Sequence, residues 1–166
     1  MKFVTYNYDR VLETFFDAVI ENTFNLDRTK ASAVRQLAIP IIHLHGQLEA
    51  VEFGHFEETT AVDSLPKIAT AIRVVHEEVA ESDPVYTRAR SMMQSAGLIC
   101  LLGFGYHPTN ARRLDLGSFP HEVAGTTYGM GEAEVEQAQS DLGRAFRHYA
   151  SVYKCVQFLR QQVRLG

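Results

Sequence analysis

The sequence predicts an α/β domain built on a mainly parallel sheet and followed by a long C-terminal helical segment. Three observations carry that expectation. Strand-like runs at 3–6, 38–46, 98–105 and 122–128 alternate with stretches of helical periodicity. The run 98–105, LICLLGFG, is apolar on both faces, as central strands of parallel sheets are. The runs end in polar or glycine-rich turns that feed helices, and in open α/β sheets ligands bind at such carboxyl ends.

The chain is organised around KFVTYNYDR at 2–10. Phe3 and Val4 are strand-forming residues. Asn7 and Asp9 are short polar residues at the turn, and Asp9 suits a helix N-cap. Val11, Leu12, Phe15, Phe16, Val19 and Ile20 then recur at helical spacing, which predicts a helix over 9–22 with that stripe inward. The polar stretch 22–29 reads as a loop and 30–37 as a short helix. AIPIIHLHG at 38–46 reads as a buried strand, with His43 and His45 on one face and Ile42 and Leu44 on the other.

The stretch 47–65, with Gly54 and a Thr pair, reads as a long loop of the kind that is often functional. Ile68, Ala71, Ile72, Val75 and Val79 predict a helix over 65–81, with Pro66 in its first turn. Asp83-Pro84 starts another, which runs through Met92-Met93 and stops at Gly97. Beyond 98–105, Pro108 opens a short helix to Leu116, 117–120 turns, and 122–128 is a further strand. From 132 to 165 the residues Val135, Ala138, Leu142, Ala145, Tyr149, Val152, Val156, Leu159 and Val163 follow a heptad stripe. Gly143 is its weak point, costing about 1 kcal/mol relative to Ala. The expected division is therefore an α/β domain over 1–131 and a C-terminal helix over 132–166. That helix packs on the domain or forms a homo-oligomer.

Composition narrows the class. A chain of 166 residues, 46% hydrophobic and 22% charged, is an ordinary globular domain with a real core. A net charge of -4 and the lack of any basic run beyond Arg112-Arg113 argue against nucleic acid as a partner. Cys100 and Cys155 belong to no CxxC pair and read as reduced thiols in a cytoplasmic protein. Lys2, Asp9, Arg10 and Glu13 interrupt any leader-like start. No apolar run approaches the ~20 residues that span a bilayer, so no membrane is expected.

Three clusters at strand ends carry the candidate chemistry: Asn7 with Asp9, His43 with His45, and 103–110. A single strand-end histidine is more often structural than catalytic; the set of three is what points to a site. A metal hydrolase would use His43 and His45 with His55 or Glu57, but no third ligand has recognisable spacing, and no metal is expected. There is no GxSxG, and neither cysteine has a histidine near it in sequence, which disfavours a nucleophilic hydrolase.

NYDRVLE after a strand, then IIHLHG, then LLGFGYHPTN resembles the Sir2-like family, and its NAD glycohydrolase branch more than the deacylating sirtuins. The resemblance covers 3–116. It implies a Rossmann-like sheet, NAD as the substrate and cleavage of the nicotinamide–ribose bond. By resemblance, Asn7 lies near the nicotinamide ribose, Asp9 shapes the same corner and His45 is the catalytic histidine. Gly103, Phe104, Gly105 and Asn110 face the cofactor's ribose and phosphates. The residue types suit the chemistry. Bond cleavage develops oxocarbenium character on the ribose, which a carboxylate such as Asp9 stabilises. An amide such as Asn7 holds a ribose hydroxyl or the attacking water. An imidazole, with an ordinary pKa of about 6.5, serves as general base.

The departures from the family are specific. The family opens with a strand and a glycine-rich loop that cradles the pyrophosphate, and no such segment precedes Asn7 here. Tyr6 stands where the family has Thr, and Gly105 where it has Ser. The expectation is an N-terminally truncated Sir2-like domain with weak or no NAD hydrolysis on its own. Its alternative is a non-catalytic assembly module on a degenerate Sir2-like scaffold.

Overall fold

In the computed structural model, which describes residues 1–47, 82–143, 146–149 and 153–161, the chain is mixed α/β and its paired strands are all parallel. It divides into two compact units, Met1–Val85 and Tyr86–Gly166. The boundary expected at residue 131 falls inside the second. The loop expected at 47–65, apart from Gln47, and the helix at 65–81 lie outside the described residues.

The first unit runs β1 (Phe3–Thr5), α1 (Val11–Phe24), α2 (Arg28–Ala38), β2 (Ile41–His43). β1 and β2 pair in parallel, Phe3 with Ile41, Val4 with Ile42 and Thr5 with His43. Parallel strands need a long crossover, and α1 and α2, packed on each other, supply it. The pairing continues past both strand ends: Phe3 N–H donates to the Pro40 carbonyl at 3.0 Å and Leu44 N–H to the Thr5 carbonyl at 2.9 Å. Asp9 Oδ1 accepts from Val11 N–H at 3.0 Å. Arg10 is the N-cap residue of α1, so Asp9 acts one position earlier than expected, as an Asx-type turn. Asn25, at φ 50, ends α1 in the left-handed conformation. Asp27 caps α2 by accepting from Lys30 N–H, which holds its carboxyl below the usual range.

The buried face of α1 corrects the sequence expectation. Val11, Phe15 and Val19 are 66%, 59% and 43% exposed, whereas the row turned inward is Glu13, Asp17 and Ile20. Polar residues occupy this row because each carboxylate meets a partner there, His43 for Glu13 and Arg35 for Asp17. Phe16 keeps an apolar role, its ring 5.3 Å from that of Phe3.

The second unit takes in α3 (Pro84–Gln94) from Tyr86 onward and continues with β3 (Leu98–Leu101), α4 (Pro108–Arg113), a single 3-10 turn (Leu116–Ser118), β4 (Glu122–Thr126), α5 (Glu132–Leu142), β5 (Phe146–Tyr149) and α6 (Cys155–Gln161). The sheet order is β3-β4-β5, all parallel. β4 is central and fully covered, and Phe158 of α6 packs on Ala124 with Cys100, Tyr153 and Leu159 around it. Both cysteines are free and half-buried, and burial followed by the nearby Glu122 carboxylate pushes the Cys100 thiol up.

The continuous C-terminal helix expected from the heptads is α5, β5 and α6 instead. Gly143, at φ 73, closes α5 with its N–H on the Gln139 carbonyl, and the chain enters the sheet at Phe146. Among the described heptad positions, Ala138 and Leu142 on α5 are buried while Val156 on α6 is 59% exposed, so these positions do not lie on one continuous helix.

Gly125 is required in β4. A Cβ there would collide with the Tyr106 hydroxyl and sit 3.2 Å from both Leu101 Cβ and Phe146 Cε2. Gly125→Ala is expected to destabilise by about 1–3 kcal/mol through overpacking, read as a lower urea midpoint at unchanged m-value. Among the described residues, no helix is long and apolar enough to cross a membrane.

Candidate functional site

β1 and β2 end side by side, and the polar residues beyond them fall into two arrangements. The first centres on His43. Its Nδ1 donates to the Asn7 carbonyl at 2.6 Å, and its Nε2 lies 2.8 Å from Glu13 Oε1. Gln47 Nε2 donates to the same Glu13 oxygen at 2.9 Å. The His43 and Glu13 side chains are each 5% exposed. The α1 helix thus reaches under the strand end through a carboxylate and an imidazole. Asn7 is tied at its own N–H as well, which donates to Thr5 Oγ1 at 3.0 Å. Its side chain is exposed, as is Asp9.

The second arrangement is aromatic. His45 is 4% exposed. The Tyr6 ring stands edge-on to it, with centroids 5.0 Å apart at 76°, and the Tyr8 ring lies 6.1 Å away at 37°. β2 ends at His43, so the strand alternation expected to put both imidazoles on one face does not extend to His45. The two rings have different neighbours and different chemistry. Since His43 directs both nitrogens at protein acceptors, the HxH pair is not arranged as two metal ligands. His55 and Glu57 lie outside the described residues, and among the described residues no three potential metal ligands converge.

The remaining candidates belong to the second unit, in the turn after β3. Gly103, at φ 59, adopts a backbone conformation that glycine favours, and a Cβ at Gly103 or Gly105 would meet nothing within 4 Å. The backbone there is open to close approach. Phe104 packs edge-on to Tyr106 at 5.4 Å, and Tyr106 in turn lies 5.4 Å from Phe146. Tyr106, at φ 48, donates its hydroxyl to the Thr126 carbonyl at 2.9 Å, and burial pushes that phenol well above its usual range. The turn is therefore anchored to the sheet while its glycines stay exposed. Asn110 is half-buried on α4, whose start His107 caps by accepting from Thr109 N–H at 3.3 Å.

No protein-family model, curated protein or solved structure matches the chain.

Of the residues singled out from sequence, Asn7, Asp9 and His45 follow the carboxyl ends of two paired strands in the first unit. Gly103, Phe104 and Gly105 follow β3 and Asn110 lies on α4, in the second unit. Glu13, Gln47 and the ring contacts of Tyr6 and Tyr8 were not anticipated as parts of the site. The signal for Glu13 is its spacing from Asp17, four residues on in the same helix. Two carboxylates at that spacing share one face and need partners when that face is buried.

Proposed function

We propose that the chain is a Sir2-like NAD-binding and NAD-hydrolysing domain on a Rossmann-like fold, cleaving the nicotinamide–ribose bond. The observation that supports this reading is the placement of Asn7, Asp9 and His45 just beyond the carboxyl ends of two adjacent parallel strands. In this reading the exposed Asn7 amide holds a ribose hydroxyl or the attacking water. Asp9 offers negative charge to the developing oxocarbenium ion, and His45 accepts the proton. The Tyr6 and Tyr8 rings supply aromatic faces of the kind that attract a pyridinium. Gly103, Phe104, Gly105 and Asn110, in the second unit, are cofactor contacts by resemblance alone. Free thiols suit a reducing, cytoplasmic setting.

Calorimetric titration of the 166-residue chain with NAD tests this. Binding is expected, and Asn7→Ala is expected to weaken it about tenfold or more, the loss of one good hydrogen bond to ligand. No heat up to millimolar NAD, or equal binding by Asn7→Ala, would overturn the reading. A second reading, a non-catalytic assembly module, draws on the exposed row Val11, Phe15 and Val19. A chain silent toward NAD whose mass rises with concentration would favour it.

A further inference from the structure

We infer that Glu13 and His43 form a positioning pair that fixes the peptide of Asn7 by holding a second proton on the His43 ring. The functional meaning of this inference rests on the NAD reading; its physical content does not. A neutral imidazole has one N–H and one lone pair. Here both ring nitrogens face acceptors, the Asn7 carbonyl at 2.6 Å and a carboxylate oxygen at 2.8 Å. The Asn7 carbonyl has no proton to give, so Nδ1 carries one. The second proton lies on Nε2, which donates it to the Glu13 carboxylate, an imidazolium against a carboxylate. A neutral ring beside an ionised Glu13 would leave one of the two contacts as a repulsion between lone pairs.

Burial makes this arrangement consequential. Both side chains are 5% exposed, and Glu13 Oε2 is buried without a hydrogen-bond partner among the described residues. Gln47 contributes one N–H to Oε1, and His43 contributes the rest of what holds the carboxyl group. Such a pair is costly to break from one side, because the surviving member stays buried without compensation. The bond therefore ties α1 to the end of β1 as a fixed strut.

What the strut holds is specific. Asn7 has its N–H on Thr5 Oγ1 and its carbonyl on His43 Nδ1, while its side chain is exposed. A backbone tied on both sides beneath an exposed amide is the arrangement that preorganises a ligand-contacting group. The peptide joining Asn7 to Tyr8 also sets the direction of the Tyr8 ring, which lies against His45. Glu13 and His43 touch no ligand in this account. They act through Asn7.

The experiment is nitrogen-detected NMR of the whole labelled chain, with NAD turnover measured beside it. His43 is expected to show two slowly exchanging ring N–H protons. Glu13→Gln, nearly the same shape but unable to carry charge, is expected to reduce these to one and to speed exchange of neighbouring backbone amides at 5–9. Its kcat for NAD is expected to fall about 100-fold with little change in KM, the signature of a displaced group rather than a lost contact. A single ring proton in the unmodified chain would overturn the pair whatever NAD does. Two ring protons with unchanged kcat in Glu13→Gln would overturn the positioning role. If the unmodified chain neither binds nor turns over NAD, the NAD reading fails while ring protons and amide exchange still decide the pair. Should Glu13→Gln not fold, His43→Gln takes its place: it retains a donor for the Asn7 carbonyl but cannot also donate to Glu13. It is expected to show the same amide loosening, and its absence would overturn the strut.

Discussion

Asp17→Ala is expected to destabilise the first unit by about 3–5 kcal/mol. Arg35 Nε donates to Asp17 Oδ1 at 2.7 Å, with the two side chains 6% and 12% exposed. Among the described residues, the only other contact of the guanidinium is Ser32 Oγ at 3.5 Å, too long to compensate a charge. Removing the carboxylate leaves a buried cation facing a small cavity between α1 and α2. The Lys30–Asp27 pair is a useful contrast, since its side chains are 71% and 55% exposed and water screens it. Lys30→Ala should therefore leave the unfolding midpoint nearly unmoved. The double replacement Asp17→Leu with Arg35→Met removes both charges while filling the space, and should recover most of the loss. Urea unfolding of the variants decides the matter. An Asp17→Ala midpoint equal to that of the unmodified chain would mean that the pair is hydrated in solution. The consequence reaches the site, because α1 also carries Glu13, and a loosened α1 withdraws support from Asn7.

Local signals in the sequence were enough to place strands at Phe3, Ile41, Leu98 and Glu122 and to order the helices between them. Period and turn chemistry are properties of neighbouring residues, so they survive reading in one dimension. Two features did not. The apolar stripe of α1 predicts an inward face, yet Glu13 and Asp17 occupy the buried row. Their partners, His43 and Arg35, lie 30 and 18 residues away. No local pattern encodes a pairing over that distance. The heptads after 132 misled for the opposite reason. Apolar residues three and four apart fit a helix, but Gly143 ends α5 and strand pairing with β4 offers Phe146 a better place. The site followed the same rule. Asn7, Asp9 and His45 were visible as strand-end residues in familiar motifs. His43 was visible only as the neighbour of His45, although the structure gives it the more elaborate set of bonds.

If the chain cleaves NAD as proposed, with His45 as general base, His45→Ala is expected to lower that cleavage by about 10²–10⁴-fold, while NAD affinity falls far less. His45 is 4% exposed and packed against Tyr6 and Tyr8, so alanine removes both a proton acceptor and the core of an aromatic cluster. His45→Phe separates the two effects, because it fills the space and keeps ring contacts with both tyrosines but has no nitrogen. If proton transfer is what His45 supplies, Phe and Ala variants lose turnover alike, and only the Ala variant also loses thermal stability. If packing is what it supplies, the Phe variant keeps both. Nicotinamide release under single-turnover conditions, with the chain in excess, measures even slow cleavage and does not depend on product release. Turnover by His45→Phe at the unmodified rate would remove the histidine from the chemistry. It would leave the Tyr6–His45–Tyr8 cluster as packing beyond the strand ends, with the proton acceptor to be sought at Asp9, the exposed carboxylate nearest to Asn7 in the chain.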